Sequence, residues 1–365
     1  MVTLSGNRRW FLLCATICHT QRQLKPGESV KITAFVHFSV PYRMAGSETM
    51  LHAMLVALAG AGHEVTCVTS DMEAPPTWSW GPVKGVAAKG MAAGEQAVLA
   101  TRPDVVISHH ANAIPAIRLA RSAGAKSVFI QHNNFPENST TLLEQPDLVV
   151  FNTHWIAKTW RHRVQRSLVV HPPVWAQEHA TTPGDMVTMI NLNRDKGVLV
   201  FYQAARRLPQ HRFLGVIGSH GPQLVPADPF ARRHPELDVS NYTDIPPNVE
   251  IIPQTTDMKN DVWSRTRVLM VPSVYESYGM VAAEAMSSGI PVLAAPTPGL
   301  KESLGVAGLF CHRNQVGGWV YHLKKLLTDP VRWQAASSRC LSRSASLDPE
   351  PELKRWVQAV GELIP

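Results

Sequence analysis

Short, nearly continuous apolar runs recur along this chain, and they constrain its fold more than any other feature. Asp104-Val-Val-Ile-Ser108 and Asp147-Leu-Val-Val-Phe151 carry no polar residue at alternate positions, so neither can offer one face to water. Strands of this kind belong to parallel sheets covered on both faces by helices. Stretches with helical spacing separate them, the alternation expected of βαβ units. In the first half, strands are predicted at 31–38, 64–69, 105–109, 127–131, 148–152 and 168–171, with a helix running from the Gly46 loop through Leu58. The second half restarts with a strand at 186–191 and a helix through Arg207, followed by strands at 213–217, 249–252, 268–271 and 292–295. Residues 223–247 are rich in proline and charge without a period and read as a loop, whereas 352–364 read as a helix.

A chain of 365 residues, 45% hydrophobic and 17% charged, is long and apolar enough for two cores. The prolines and polar residues at 172–185 read as the hinge, giving domains at 29–177 and 184–345, an N-terminal extension at 1–28 and a final helical segment at 346–365. Arg8-Arg-Trp-Phe-Leu-Leu-Cys-Ala-Thr-Ile-Cys18 imitates a signal peptide, but the run is brief, polar residues follow it, and no Ala-x-Ala site appears. It is also too short to span a bilayer, and the extension is expected to pack loosely on the first domain or to trail from it. The five scattered cysteines contain no Cys-x-x-Cys pair, so neither a disulfide framework nor a zinc site is expected, and a cytoplasmic location fits best.

One segment carries chemistry. The strand at 268–271 runs into a short loop, a helix opens near Gly279, and Gly289 followed by Pro291 closes it. Glu276 lies just before the helix and Glu284 about five residues inside it, roughly 7 Å along the axis. Between them the helix tip offers free N–H groups and the positive end of its dipole, a ready anion site. The arrangement suits a ligand with a charged middle and two hydroxyl-rich ends, which is the shape of a nucleotide-sugar. The carboxylates would accept hydrogen bonds from sugar hydroxyls, since facing phosphate oxygens would cost like-charge repulsion. A helix-terminal acid followed by a solvated glutamate is the plainer alternative.

This segment resembles the E-x7-E motif of retaining GT-B glycosyltransferases, family 4 in particular, and the similarity continues through Pro291-Val-Leu-Ala-Ala-Pro-Thr-Pro-Gly299-Leu-Lys-Glu302. The resemblance implies an α/β fold of two Rossmann-like domains whose parallel sheets face an interdomain cleft. It implies a UDP- or GDP-sugar as donor substrate, held by the second domain, with no prosthetic group and no metal. Lys196 corresponds to the lysine on the donor diphosphate and Glu276 to the catalytic-site acid, while the family's usual arginine falls on Asn191. Arg194 is nearby in a different register. Donor contacts are implied for Ser277, Gly279, Met280, Val281 and Glu284, for backbone N–H groups from Thr297 through Gly299 to Leu300, and for the Gly46 loop. His109 matches the position whose ring approaches the donor sugar, with His110 as the alternate. His132 and Asn133, at the next strand end, would line the acceptor side, and the last helix would cross back to the first domain.

The formal net charge of +7 favours an anionic partner: a nucleotide donor, membrane phosphates or nucleic acid. Lys158, Arg161, Arg163 and Arg166 are the densest basic stretch and could meet an anionic membrane surface, peripherally, or DNA. They could equally be the solvated face of a helix that turns Trp155, Ile156 and Trp160 inward. Two other function classes therefore stand beside the enzyme: a non-catalytic nucleotide-sugar-binding protein, suggested by Asn191, and a basic nucleic-acid-binding protein. No Asp-x-Asp and no Gly-x-x-x-x-Gly-Lys-Ser/Thr loop is present, and no histidine belongs to a His-Glu-x-x-His or comparable pair.

Overall fold

The computed structural model describes residues 2–3, 29–71, 74–218, 221–226 and 243–364. Two compact units share the chain, one made of Met1–Pro173 with Pro349–Pro365 and the other of Val174–Asp348. The readings for residues 4–28 and for 227–242 lie outside the described residues.

The first unit is built on nine strands: β1 (Val2–Thr3), β2 (Lys31–Val36), β3 (Glu64–Thr69), β4 (Thr77–Trp80), β5 (Val83–Ala87), β6 (Val105–Ser108), β7 (Lys126–Gln131), β8 (Leu148–Phe151) and β9 (Ser167–Val169). Their order is β1-β4-β5-β3-β2-β6-β7-β8-β9, parallel throughout except for the antiparallel β4–β5 pair. The second unit carries β10 (Met186–Ile190), β11 (Phe213–Val216), β12 (Val249–Ile252), β13 (Thr266–Val271), β14 (Val292–Ala294) and β15 (Leu309–Phe310), all parallel in the order β12-β11-β10-β13-β14-β15. Both units are Rossmann-like α/β domains, as the apolar runs indicate.

The reason those runs lack alternation is visible at β13. Val268 and Met270 enter a core with Phe201, Tyr202, Trp319 and Leu323 from helices Val198–Arg207 and Val316–Thr328. Leu269 and Val271 enter a second core, on the other face, with Ala282, Met286 and Leu300 from helices Met280–Ser287 and Pro298–Leu304. Successive strand residues point to opposite faces. With both faces covered, every position from Val268 to Val271 is apolar.

Four differences from the sequence reading have physical causes. Strands β2, β6 and β8 stop one or two residues earlier than predicted, where the loops carrying His37, His109 and Asn152 begin. The β4–β5 hairpin and the helix Met91–Ala100 were not anticipated, since the hairpin strands are too short to show a period. Val2–Thr3, read as part of a loose extension, pairs in parallel with Trp78–Ser79. A short helix, Ala176–His179, lies within the hinge.

The strand order reverses between β2 and β6 in the first sheet and between β10 and β13 in the second. Ligands of open α/β sheets bind outside the carboxyl ends of the strands at that switch point. The reversal thus singles out the residues after β2 and β6, and those after β10 and β13.

The last helix, Glu350–Gly361, belongs to the first unit. Trp356 is fully buried there and donates its Nε1–H to the Met54 carbonyl at 3.0 Å. Glu352 accepts from the backbone N–H of His171 at 2.6 Å, and Arg166 pairs with Glu362 at 2.5 Å. Replacing so large a buried side chain leaves a void and an unpaired carbonyl. Trp356→Ala is expected to lower unfolding free energy by about 3–5 kcal/mol, read from urea denaturation; a change below about 1 kcal/mol would contradict the docking described.

Candidate functional site

At the switch point of the second unit, two loops are clasped together. The loop after β10 ends at Gly197, whose φ of 96° is left-handed and whose missing Cβ would otherwise stand 2.4 Å from the Pro272 carbonyl oxygen. The Val274 N–H donates to the Asp195 carbonyl at 2.8 Å, closing the contact from the other side. This close approach brings the Lys196 ammonium to 2.6 Å from Glu276 Oε1. Ser273 Oγ donates to the same oxygen at 2.8 Å, and the Lys196 N–H donates to Asn193 Oδ1 at 2.8 Å. The ammonium is 31% exposed and its carboxylate partner 12%, so the charge is held in place yet open to a ligand.

Helix Met280–Ser287 begins immediately after Gly279 and is followed by a left-handed Gly289, as read from the sequence. No side chain caps its first turn and no acid lies within it, so Met280 and Val281 open the helix with its positive end uncompensated. Glu284 is the fifth helical residue. Burial pushes its carboxyl up to about 7. His179 Nδ1 lies 3.8 Å from it, on an imidazole that burial, and secondarily Lys259, holds down at about 4. That nitrogen is buried and makes no hydrogen bond, since Glu284 stays beyond hydrogen-bond distance.

The remaining donor-side positions are more heavily engaged. Asn191 takes a left-handed backbone (φ 65°), and its Oδ1 accepts from Gln223 Nε2 at 2.7 Å and from Asn193 Nδ2 at 3.0 Å. Gln223 Oε1 in turn accepts the backbone N–H groups of Leu192 and Gly218 at 2.7 and 3.1 Å. A neutral amide network therefore occupies the place where the resemblance leads one to look for arginine. Arg194 is exposed, and its carbonyl accepts from Arg313. Thr297 Oγ1 accepts the Leu300 N–H at 3.3 Å, and the Thr297 N–H donates to the Ala295 carbonyl at 2.8 Å. Two of the amides expected to face a donor are thus used inside the turn, and Gly299 lies buried between them.

In the first unit, Gly46 opens helix Gly46–Gly60, and the buried Glu48 sits in its first turn. That acid already complements the helix dipole, which weakens this tip as a phosphate site. His109, His110 and His132 come together at the ends of β6 and β7. His109 is fully buried with its Nδ1 2.9 Å from His132 Nε2, and His110 stacks on His132 with ring centroids 5.1 Å apart. Asn133 serves its own loop, its Oδ1 accepting from the Phe135 N–H at 3.2 Å and Asn138 Nδ2 at 2.7 Å. In the basic stretch, Ile156 and Trp160 are buried, Trp155 is half-buried, Arg163 lies over the Trp160 ring, and Arg166 is taken by Glu362. Lys158 and Arg161 are exposed, the arrangement of a helix with a solvated basic face.

Residues 184–329, nearly all of the second unit, match the family model of glycosyl transferases group 1. The D-inositol 3-phosphate glycosyltransferase of Mycolicibacterium smegmatis is 27% identical over 263 residues, covering 64% of this chain and 58% of that protein. The enzyme of the same name from Mycobacterium tuberculosis is 30% identical over 172 residues, 45% of this chain and 35% of its own. This chain thus spans between about a third and little more than half the length of the curated relatives it matches. Among solved structures, sucrose-phosphate synthase from Thermosynechococcus elongatus superposes with a TM-score of 0.71 at 17% identity, over 92% of this chain and 98% of that one. Anabaena HepE in complex with UDP-glucose gives 0.70 at 15% identity, over 91% and 100%. The fold is that of the GT-B glycosyltransferases.

Sequence reasoning did not single out Ser273, Gln223, His179 or His37. Ser273 had a signal, three residues before Glu276 in the same loop. The other three reach their sites from distant segments and had none.

The state of Glu284 is directly testable. Its folded carboxyl titrates near 7 against an ordinary 4.5, so between those values only the folded chain keeps the proton. Stability therefore falls as pH rises through that window and levels off above it. Glu178, also pushed up to about 7 by burial, adds to the same slope. Glu284→Gln is expected to flatten the fall in Tm between about pH 5 and pH 7.5; a slope equal to wild type would show that this carboxyl is not held protonated.

Proposed function

We propose that this chain is a retaining glycosyltransferase that moves a hexose-type sugar from a UDP- or GDP-sugar to a hydroxyl-bearing acceptor. The observation that carries this reading is the 2.6 Å contact of Lys196 with Glu276 at the switch point, beside an uncapped helix tip. The group 1 match over 184–329 and the UDP-glucose complex of a protein with the same fold support it.

In this reading the helix tip at Met280 and Val281 receives the diphosphate, and the Lys196 ammonium meets the charge that grows on it as the glycosidic bond breaks. Glu276 has two tasks: it holds Lys196 in position through Oε1 and accepts a hydrogen bond from the hexose. Glu284 accepts ribose hydroxyls, which supply the polar partners its buried carboxyl lacks and draw it toward the ionised form. Departure of the diphosphate leaves an oxocarbenium-like centre. A phosphate oxygen takes the acceptor's proton on the same face, so configuration is retained. The charge on the leaving group is met by Lys196 and backbone amides, and the transfer itself needs no metal. The three cysteines among the described residues are free and buried, and no helix among the described residues is long and apolar enough to cross a membrane.

The amide network around Asn191 favours one second reading, a nucleotide-sugar-binding protein without turnover, because it leaves this wall of the site one cation short.

Lys196→Ala and Glu276→Ala are each expected to lower sugar transfer, or donor hydrolysis, on the order of 10²-fold. Near-normal turnover in both variants would overturn the assignment. A thermal-shift screen against UDP- and GDP-sugars separates the two readings. Saturating donor raises stability, by about 2.7 kcal/mol at a hundred times Kd, in either case; turnover across an acceptor panel accompanies it only if the chain is an enzyme.

A further inference from the structure

The four imidazoles at the switch point of the first unit form a site of their own. His37 follows β2, His109 and His110 follow β6, and His132 follows β7, so neighbouring strand ends deliver them to one place. We propose that His109, His110 and His132 bind one divalent transition-metal ion of the zinc class, leaving one coordination position for an oxygen ligand.

Each of the three rings can offer a nitrogen such that all three lie within 4.8 Å of one another. Zinc–nitrogen bonds of about 2.0–2.1 Å in a tetrahedral site put ligand nitrogens about 3.4 Å apart. The His109–His132 pair, now at 2.9 Å around one shared hydrogen-bonding proton, opens slightly to admit the ion, and His110 closes in. The shared proton shifts to the far nitrogen of its own ring, so both nitrogens become ligands and no proton is lost from the pair.

Two observations favour a metal over an ordinary buried hydrogen-bonded pair. Among the described residues no carboxylate hydrogen-bonds to the His109 or His132 ring, so none favours an imidazolium there. Neutral imidazole is the ligating form. His110 also sits in a left-handed conformation (φ 51°) that turns the chain between β6 and the following helix and keeps its ring against those of His109 and His132, at 4.7 and 5.1 Å. His37 packs at 5.8 and 5.6 Å from His109 and His110 but does not join the nitrogen set, and it acts as a neighbour rather than a ligand.

The test uses the full chain, freed of metal by a chelator and titrated with Zn²⁺ against a chromophoric chelator, then with Co²⁺ followed by visible absorption. One Zn²⁺ per chain is expected, with intense Co²⁺ bands of a four-coordinate centre. His132→Ala and His110→Asn should each weaken Zn²⁺ binding by about tenfold or more. The second variant suits the left-handed backbone and alters a half-buried residue, so its fold, checked by circular dichroism, is expected to survive. The exposed-residue variants His162→Ala and His312→Ala should bind as wild type. Absence of stoichiometric binding by the wild-type chain, or unchanged binding in a folded His110→Asn, would overturn the proposal. Neither readout involves a nucleotide-sugar, so the metal site stands or falls separately from sugar transfer.

Discussion

The contact between Lys196 and Glu276 joins two loops that lie eighty residues apart in the chain, and the candidate site of the second unit depends on it. An ammonium and a carboxylate at this distance would add little at an open surface, where water screens both. Here the partners are restrained first by backbone. Gly197 admits Pro272, Val274 reaches Asp195, and only then do the charged groups meet. The strands bring the loops together, the missing Cβ lets them touch, and the ion pair is the consequence. Such pre-placement is what a charge-stabilising group needs, because reorganisation at the moment of reaction would consume its advantage.

The two units use the same topological position for opposite chemistry. In the second, the switch point presents a fixed cation, an acid and an uncompensated helix end. In the first, it presents neutral imidazoles, with a buried acid already placed at the nearby helix start by Glu48. One surface is suited to an anion. The other is suited to donors of lone pairs. The fold supplies the location in both cases, and the side chains alone decide what can be held there.

Much of this was legible beforehand, for identifiable reasons. Strands β6, β8 and β13 announce themselves because burial on both faces removes all polar positions from them. Helix Met280–Ser287 was placed correctly because Gly279 and Gly289 mark its ends through backbone conformation, a local property. What escaped notice is non-local. The His109–His132 pair joins residues 23 apart on adjacent strands, and Gln223 reaches Asn191 across 32. No spacing rule within a single segment can anticipate contacts that exist only once the strands are ordered. The β4–β5 hairpin was lost for another reason: four or five residues per strand are too few to establish a period.

The return of helix Glu350–Gly361 to the first unit has a consequence for biosynthesis. Residues through Pro173 leave the ribosome long before Trp356 does, so the surface of helix Gly46–Gly60 that receives this indole stays uncovered while all of Val174–Asp348 is made. At about 5–20 residues per second that interval lasts roughly ten to thirty-five seconds. The first unit is therefore completed only after the second has been made, and its apolar seam stays open to neighbouring chains until Trp356 arrives.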